Sequence, residues 1–225
     1  MWWFDGNRWR AECTINPLLS GAINKLWGKS SSDLFAVGNI GNIFHWDGKR
    51  WTKIESGTTI SLRDIWGTSN GMEVWTCGWN ANTGENILLR RQSSHWQKIP
   101  LPNYISDTEL LGTLWMDGNS EVIISGSGDI FRLSIFNLNL IRRVPVNLGA
   151  YAYRIRGVLR NDISLVGDFS MVWHWNGVSW HMYNELYNFD DRLYGLAVSP
   201  TMIVAVGTRI INMVERKGLV LVGKR

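Results

Sequence analysis

The sequence lacks several features that would place it at once in a known class. It has only two cysteines, Cys13 and Cys77. Two cysteines allow one disulfide at most and cannot form a zinc cluster alone, so neither disulfides nor zinc organises the fold. No stretch reaches the roughly 18 consecutive apolar residues of a membrane-spanning helix, and no basic-then-apolar leader opens the chain. The sequence therefore predicts neither a membrane span nor a signal peptide.

Charge is also scarce. Charged residues make up 19% of the chain, and 23 basic against 19 acidic residues leave a net charge of +4. An average protein has about 25% charged residues, and a dedicated nucleic-acid binder carries a larger basic excess. The composition thus predicts no nucleic-acid partner. The apolar content of 45% is sufficient for a buried core and excludes a disordered chain.

Tryptophan and glycine, by contrast, are abundant, at 14 and 23 residues. Tryptophan favours strands and glycine favours tight turns, so the composition indicates many short strands connected by turns. An internal repeat organises them. Five copies share a glycine after an apolar run, and these anchor glycines are 40, 48, 41 and 40 residues apart: Gly38, Gly78, Gly126, Gly167 and Gly207.

A period of this length, with four short apolar runs in each copy, is typical of the four-stranded blade of a β-propeller. The sequence therefore predicts one all-β propeller domain over residues 1–225. Five complete blades are expected, at residues 23–57, 61–102, 110–146, 153–186 and 192–225.

A hairpin motif joins strands three and four of the clearest copies. Residues 46–51, Trp-Asp-Gly-Lys-Arg-Trp, recur as residues 175–180 and open the chain as residues 4–9. Asp-Gly predicts a two-residue turn at Asp47-Gly48 with positive φ at Gly48, and flanking tryptophans that pack across the hairpin. Residues 1–20 then form half a blade, which either pairs at the ring closure or stands as a partial sixth blade. Because the chain starts inside a predicted blade, further residues could precede Met1, and an exported full-length form stays possible.

With these motifs the chain resembles the bacterial β-propellers built from Trp-Gly-Ser-x-x-Asp-[Val/Leu]-[Trp/Phe]-Ala-Val-Gly repeats that end in His-Trp-Asp-Gly-x-x-Trp. Residues 27–51 match this pattern nearly throughout. The hairpin is also similar to a degenerate Asp box, the turn of sialidase-type and photosystem assembly factor propellers, with His45 or His174 replacing its serine. The resemblance spans the whole chain and implies a propeller, but such propellers include lectins, hydrolases and scaffolds.

The residues that could carry catalysis have structural explanations. His45 and His174 occupy the same position in two repeats, so their spacing carries no metal-ligand meaning. Most aspartates fall in predicted turns, where a carboxylate accepts hydrogen bonds from nearby backbone. Four arginines lie near the starts of first strands, but no spacing defines a catalytic triad: Arg63, Arg154, Arg156 and Arg192. The sequence predicts no enzyme, no metal site and no cofactor.

Trp79 differs from the other tryptophans, because it follows the anchor Gly78 and opens an insertion over residues 79–86. The loop between strands two and three lies on the face where propellers usually bind ligands, so we predict that Trp79 is exposed there and stacks on a ligand. The ligand-binding candidates on this face are aromatic and short polar residues: Trp79, Asn80, Asn82, Asn86, Asp129, Asp168, Tyr104 and Tyr187.

Three functions remain open. The favoured one is a non-catalytic, monomeric binding platform for a protein or glycan on the loop-rich face. The alternatives are a tachylectin-like carbohydrate-binding lectin and a glycosidase-type propeller enzyme, which would require two converging carboxylates.

Overall fold

The computed structural model describes residues 2–4, 6–11, 13–106, 109–118, 120–212 and 215–224. Its described residues form strands connected by turns, together with three helical segments of three or four residues, at Asn16–Leu18, Asn103–Ser106 and Asn184–Leu186. None of the helices in these ranges has the length and apolarity needed to cross a bilayer.

Four sheets are complete four-stranded antiparallel blades, each with its strands paired in sequence order. The first blade contains β3 (Ile23–Ser30), β4 (Asp33–Gly38), β5 (Ile43–Trp46) and β6 (Trp51–Ile54). The second contains β7 (Leu62–Gly67), β8 (Val74–Trp79), β9 (Asn86–Gln92) and β10 (His95–Lys98). The third contains β11 (Thr113–Met116), β12 (Glu121–Ser125), β13 (Ile130–Ser134) and β14 (Ile141–Arg143). The fourth contains β15 (Ala152–Leu159), β16 (Asp162–Gly167), β17 (Val172–Trp175) and β18 (Trp180–Met182).

The fifth blade has three strands in the described residues, where the sequence predicted four: β19 (Asp191–Val198), β20 (Met202–Ile210) and β21 (Arg216–Lys224). The reason is strand length. β20 continues past the anchor Gly207 to Ile210, and β21 pairs with it over nine residues. The single long strand β21 therefore takes the place of the third and fourth strands predicted for this blade.

The opening hairpin forms a separate two-stranded sheet of β1 (Trp2–Phe4) and β2 (Trp9–Ala11). Among the described residues its strands pair with each other, and no pairing with β21 is found. Asp5, which the motif places in the turn, lies outside the described residues.

Consecutive blades pack through their first strands: β3 against β7, β7 against β11, β11 against β15, and β15 against β19. The first strand is therefore innermost in each blade, as in a β-propeller. The Trp-Gly pair of the repeat explains this packing. A Cβ atom on Gly67 would lie 2.7 Å from the Trp27 ring of the preceding blade, and Gly157 has the same relation to Trp115. Each glycine leaves room for a neighbouring tryptophan, which confirms the structural role predicted for Trp27 and Trp115.

The anchor glycines mark where strand two ends beside the start of strand one. A Cβ atom at Gly38 would collide with the carbonyl oxygen of Ala22, and the other four anchors meet the equivalent carbonyl. Only glycine permits this backbone approach.

The hairpin prediction is confirmed in part. The Trp46 and Trp51 rings lie 5.6 Å apart, and those of Trp175 and Trp180 lie 5.8 Å apart. Gly48 has φ +90°, as predicted. The turn lies one residue later than predicted, because Asp47 N–H donates to Arg50 O. The Asp47 carboxylate accepts the N–H groups of residues 49 and 50, which fixes this register.

Candidate functional site

Four of the five first strands contain a β-bulge directly after the residue that pairs with the anchor glycine. In blade one, Ile23 pairs with the anchor Gly38 and Lys25 pairs with Val37, so the residue between them has no partner. The same shift occurs in blades two, four and five. A bulge re-aims a side chain. The bulged residues are Asn24, Arg63, Tyr153 and Tyr194.

Three of these four bulged residues line one cavity of about 350 Å³, here called the channel mouth. It lies where the innermost strands begin, on the face that carries the loops between strands two and three. Its lining comes from four blades: Asn24, Arg63, Trp79, Gly112, Tyr151, Tyr153, Arg154 and Asp168.

Trp79 forms one wall of the channel mouth, and its surroundings correct the prediction of an exposed loop residue. It is the last residue of β8, pairs with Asn86, and is half-buried. Its indole Nε1–H donates to the Tyr151 hydroxyl at 3.1 Å. The Arg63 guanidinium lies over its ring, 5.1 Å from the centroid. The strands thus extend further than expected, which leaves residues 80–85 as the loop.

Tyrosine rings continue this wall toward blade five. Tyr151 and Tyr153 pack edge to face with centroids 5.0 Å apart, and Tyr153 and Tyr194 do the same at 4.9 Å. The Tyr151 hydroxyl lies over Gly112, where any side chain would collide with it. Burial raises the pKa of both Tyr151 and Tyr153 to about 12, and the Asp168 carboxylate adds to the effect on Tyr153. Both hydroxyls therefore stay protonated at neutral pH.

Asp168, one of the predicted site residues, lies at the edge of the channel mouth. Its Oδ1 accepts a hydrogen bond from the Tyr153 hydroxyl at 3.3 Å and lies 3.1 Å from Arg192 Nε. The turn that follows contains Phe169 at φ +61° and Ser170 at φ +51°. Positive φ is uncommon for residues other than glycine. The Arg192 guanidinium, 5.6 Å from the Phe169 ring centroid, holds this turn in place.

Below the channel mouth, a buried ion pair joins blade two to blade four. Arg156 Nη2 lies 2.9 Å from Asp64 Oδ1, and Arg156 Nη1 lies 3.0 Å from Asp64 Oδ2. The Thr113 hydroxyl and the Leu114 N–H of blade three also donate to this carboxylate. Burial raises the pKa of Asp64, but the charge and hydrogen bonds of Arg156 outweigh it and hold the pKa below its usual value.

Arg156 occupies the position of the repeat tryptophan, because it pairs with Ser164 as Trp66 pairs with Trp75. This departure from the repeat was the available sequence signal for a special role. Its guanidinium lies 4.5 Å from the Trp66 ring centroid. Sequence reasoning noted Arg63 and Arg156 without assigning them a function, and it missed Tyr151, Tyr153 and Tyr194.

Three predicted site residues, Asn80, Asn82 and Asn86, form hydrogen bonds that stabilise turns and connections of the fold. Asn86 is buried; its amide donates to the carbonyls of Ile105 and Glu109, and its oxygen accepts Leu111 N–H, so it clamps the connection to blade three. Asn80 Oδ1 accepts the N–H of Asn82 within a turn. These contacts lie outside the channel mouth.

The remaining predicted residues do not line the cavity. Asp129 is buried and pairs with Arg143. The Tyr104 hydroxyl donates to Ile141 O at 3.1 Å on the third blade. Tyr187 packs on Phe169, the residue after Asp168, with centroids 5.8 Å apart, and Phe189 packs on the same ring at 5.3 Å, so both lie at the rim of the channel mouth. Among the eight candidates, the cavity lining contains Trp79 and Asp168.

The two repeat histidines lie on third strands, His45 on β5 and His174 on β17, near the opposite face. His45 Nε2 is 2.8 Å from Asp33, and His174 Nε2 is 2.9 Å from Asp162, each within one blade. Within the described ranges, no three His, Cys, Asp or Glu side chains are grouped to hold a metal ion.

No protein-family model matches the chain. A curated relative is the immune protein Tsi7 of Pseudomonas aeruginosa, which is 36% identical over 120 residues. The alignment covers 51% of this chain and 37% of Tsi7, so the matched part is well under half of the relative.

Solved structures of similar shape are β-propellers of low sequence identity. YCF48 bound to D1 peptide aligns with a TM-score of 0.65 and 13% identity, over 90% of this chain and 66% of YCF48. The GH74 enzyme of Niastella koreensis aligns with a TM-score of 0.68 and 10% identity, over 91% of this chain and 37% of the enzyme. These likenesses, together with the blades described above, define the chain as a β-propeller.

Proposed function

We propose that the protein is a non-catalytic binding platform that holds a protein partner at the channel mouth. The observation that carries this proposal is the continuous wall of Trp79, Tyr151, Tyr153 and Tyr194, which are linked by one hydrogen bond and two ring contacts. Large aromatic side chains that are already held in place lose little entropy on binding, and such residues dominate protein interfaces.

The chemistry of the wall favours a polypeptide over a sugar. A lectin tryptophan presents an open ring face, whereas one face of Trp79 is covered by Arg63 and its N–H is already donated to Tyr151. The exposed rings at the rim, Tyr194 and Phe189, suit the apolar and aromatic side chains of a protein. The likeness to YCF48, whose structure contains a bound peptide, also supports a protein partner.

The carboxylates near the axis favour a binding role over hydrolysis. A glycosidase uses two carboxyl groups about 5–9.5 Å apart, one of which donates a proton to the substrate. Asp64 is fully buried and bound to Arg156, and Asp168 is paired with Arg192. Because Arg156 holds the pKa of Asp64 below its usual value, this carboxylate is a poor proton donor.

Photo-crosslinking tests the platform. A benzoylphenylalanine residue at Phe189, which is 71% exposed beside Phe169 at the rim, should form an adduct with a partner in a lysate of the source cells. The same residue at Val178, which is 86% exposed in a hairpin on the opposite face, is the matched control.

The adduct at Phe189 should disappear on protease treatment and on the additional change Tyr153→Ala, with the fold checked by thermal melting. Equal adducts at Phe189 and Val178, or an adduct that resists protease, would contradict the proposal. So would the lack of any adduct at Phe189.

A further inference from the structure

We infer that the channel mouth binds an anionic group of its partner, the carboxylate of an acidic side chain or of a chain terminus. This inference rests on the proposed platform function and specifies the chemistry of the partner. It is carried by the charges that the first strands bring to the axis.

Cations outnumber carboxylates around the cavity. Arg156 neutralises Asp64, and Arg192 pairs with Asp168. Arg63 and Arg154 line the cavity, and neither forms an ion pair with a carboxylate in the described part of the chain. The Arg154 guanidinium instead donates to the Tyr153 carbonyl oxygen at 2.7 Å.

Arg63 is held in place and incompletely hydrogen-bonded. Its Nε is buried and has no acceptor among the described residues, while stacking on Trp79 fixes the plane of the guanidinium. An unpaired buried donor is unfavourable, and an arginine edge matches a carboxylate with two parallel hydrogen bonds. Because Arg63 lines the cavity, a carboxylate that enters would supply a partner for its guanidinium charge.

Lys25 adds a third cation in the same region. It is the residue directly after the bulge of β3. Asp64 in blade two and Arg154 in blade four occupy the equivalent position. Burial lowers the pKa of Lys25 to about 8, with a further contribution from Arg156 and Arg154 that Asp64 only partly offsets. The positive charges of Arg156 and Arg154 near Lys25 are thus not fully offset by Asp64, and a bound anion would offset the remainder.

The shape of the site favours a protein carboxylate over a nucleic-acid backbone. The cavity holds about 350 Å³ and is walled by Trp79 and the tyrosines, which leaves room for one side chain or a terminus. Nucleic-acid binders carry a basic surface that follows many phosphates, whereas the net charge of this chain is only +4. An oligonucleotide is therefore the competing ligand in the test.

The test measures binding of a hexaglutamate peptide by calorimetry at pH 7 and low salt. Hexaglutamine and oligo(dT) of equal length are the comparison ligands. Hexaglutamate should bind, and Arg63→Gln and Arg154→Gln should each weaken it about tenfold, the equivalent of about 1.4 kcal/mol. Arg142→Gln, an exposed arginine on β14, is the matched control and should bind like the wild type.

The inference is overturned if hexaglutamate does not bind, if hexaglutamine or oligo(dT) binds as tightly, or if both Arg63→Gln and Arg154→Gln bind like the control. Thermal melting shows that each variant is folded. The crosslinking experiment judges the platform separately. An adduct at Phe189 that persists in Arg63→Gln supports the platform and contradicts carboxylate binding at the channel mouth. The absence of any adduct at Phe189 contradicts the platform, whether or not hexaglutamate binds.

Discussion

Removing one partner of the buried Asp64–Arg156 pair tests how the blades are joined below the channel mouth. Asp64→Ala leaves the Arg156 charge buried, with a side chain that is only 4% exposed, and it also removes the acceptor of the Thr113 hydroxyl. Breaking a buried ion pair in this way costs about 3–5 kcal/mol. For a chain of this size, the melting temperature should fall by roughly 6–20 °C.

The measurement is urea unfolding followed by tryptophan fluorescence, in a double-mutant cycle with Arg156→Met. Methionine keeps much of the apolar volume of arginine without its charge, so the double variant should lose less stability than the two single variants added together. The coupling should be about 2–3 kcal/mol. Asp190→Ala, an exposed carboxylate, is the control and should change stability by less than about 0.5 kcal/mol.

A pH series supplies a further check with a defined sign. The pKa of Asp64 is lower in the folded protein than in the unfolded chain, so its stabilisation is complete above the unfolded value of about 3.9. It is lost as the pH falls through the folded pKa, and the Asp64→Ala variant should lack that part of the loss. Additive single variants, or a cost for Asp64→Ala under about 1 kcal/mol, would refute the reasoning about this pair.

Three further changes test the description of the fold and the mouth. Gly48→Val should lower the free energy of unfolding by on the order of 1–3 kcal/mol, because φ is +90° and a Cβ would lie 2.9 Å from Ser32. Gly218→Val is the control and should not, since Gly218 has open space around it and no positive φ. Equal melting temperatures of the two variants would refute the turn. Trp79→Ala should destabilise by roughly 1–3 kcal/mol, since it removes the hydrogen bond to Tyr151 and the Arg63 stack, and an unchanged melting temperature would restore the exposed-loop interpretation. Lys25 has a folded pKa of about 8, below its unfolded value of about 10.4, so the unfolded chain binds more protons between these pH values. The free energy of unfolding should therefore rise from pH 8 to 10 in the wild type and rise less in Lys25→Met. Parallel pH curves for the two proteins would contradict this.

Most of the blade architecture was predictable from sequence, because its signals are local. Each signal indicates a turn or a close backbone approach within a few residues: the anchor glycines, the Trp-Gly pairs and the hairpin around Gly48. The same local reasoning failed where strand length decided the outcome. β8 and β9 extend to Trp79 and Asn86, and β21 extends over nine residues, because pairing with a neighbour outweighs the loop character of the segment.

What the sequence determined by itself is therefore the repeat: its period, its strands and the tryptophans that pack one blade on the next. The tertiary structure alone decided the channel mouth. Trp79 meets a tyrosine 72 residues away, and Asp64 meets an arginine 92 residues away. The physical reason is that the propeller brings the first strands of separate blades to one axis, where a bulge in four of the five re-aims one further side chain.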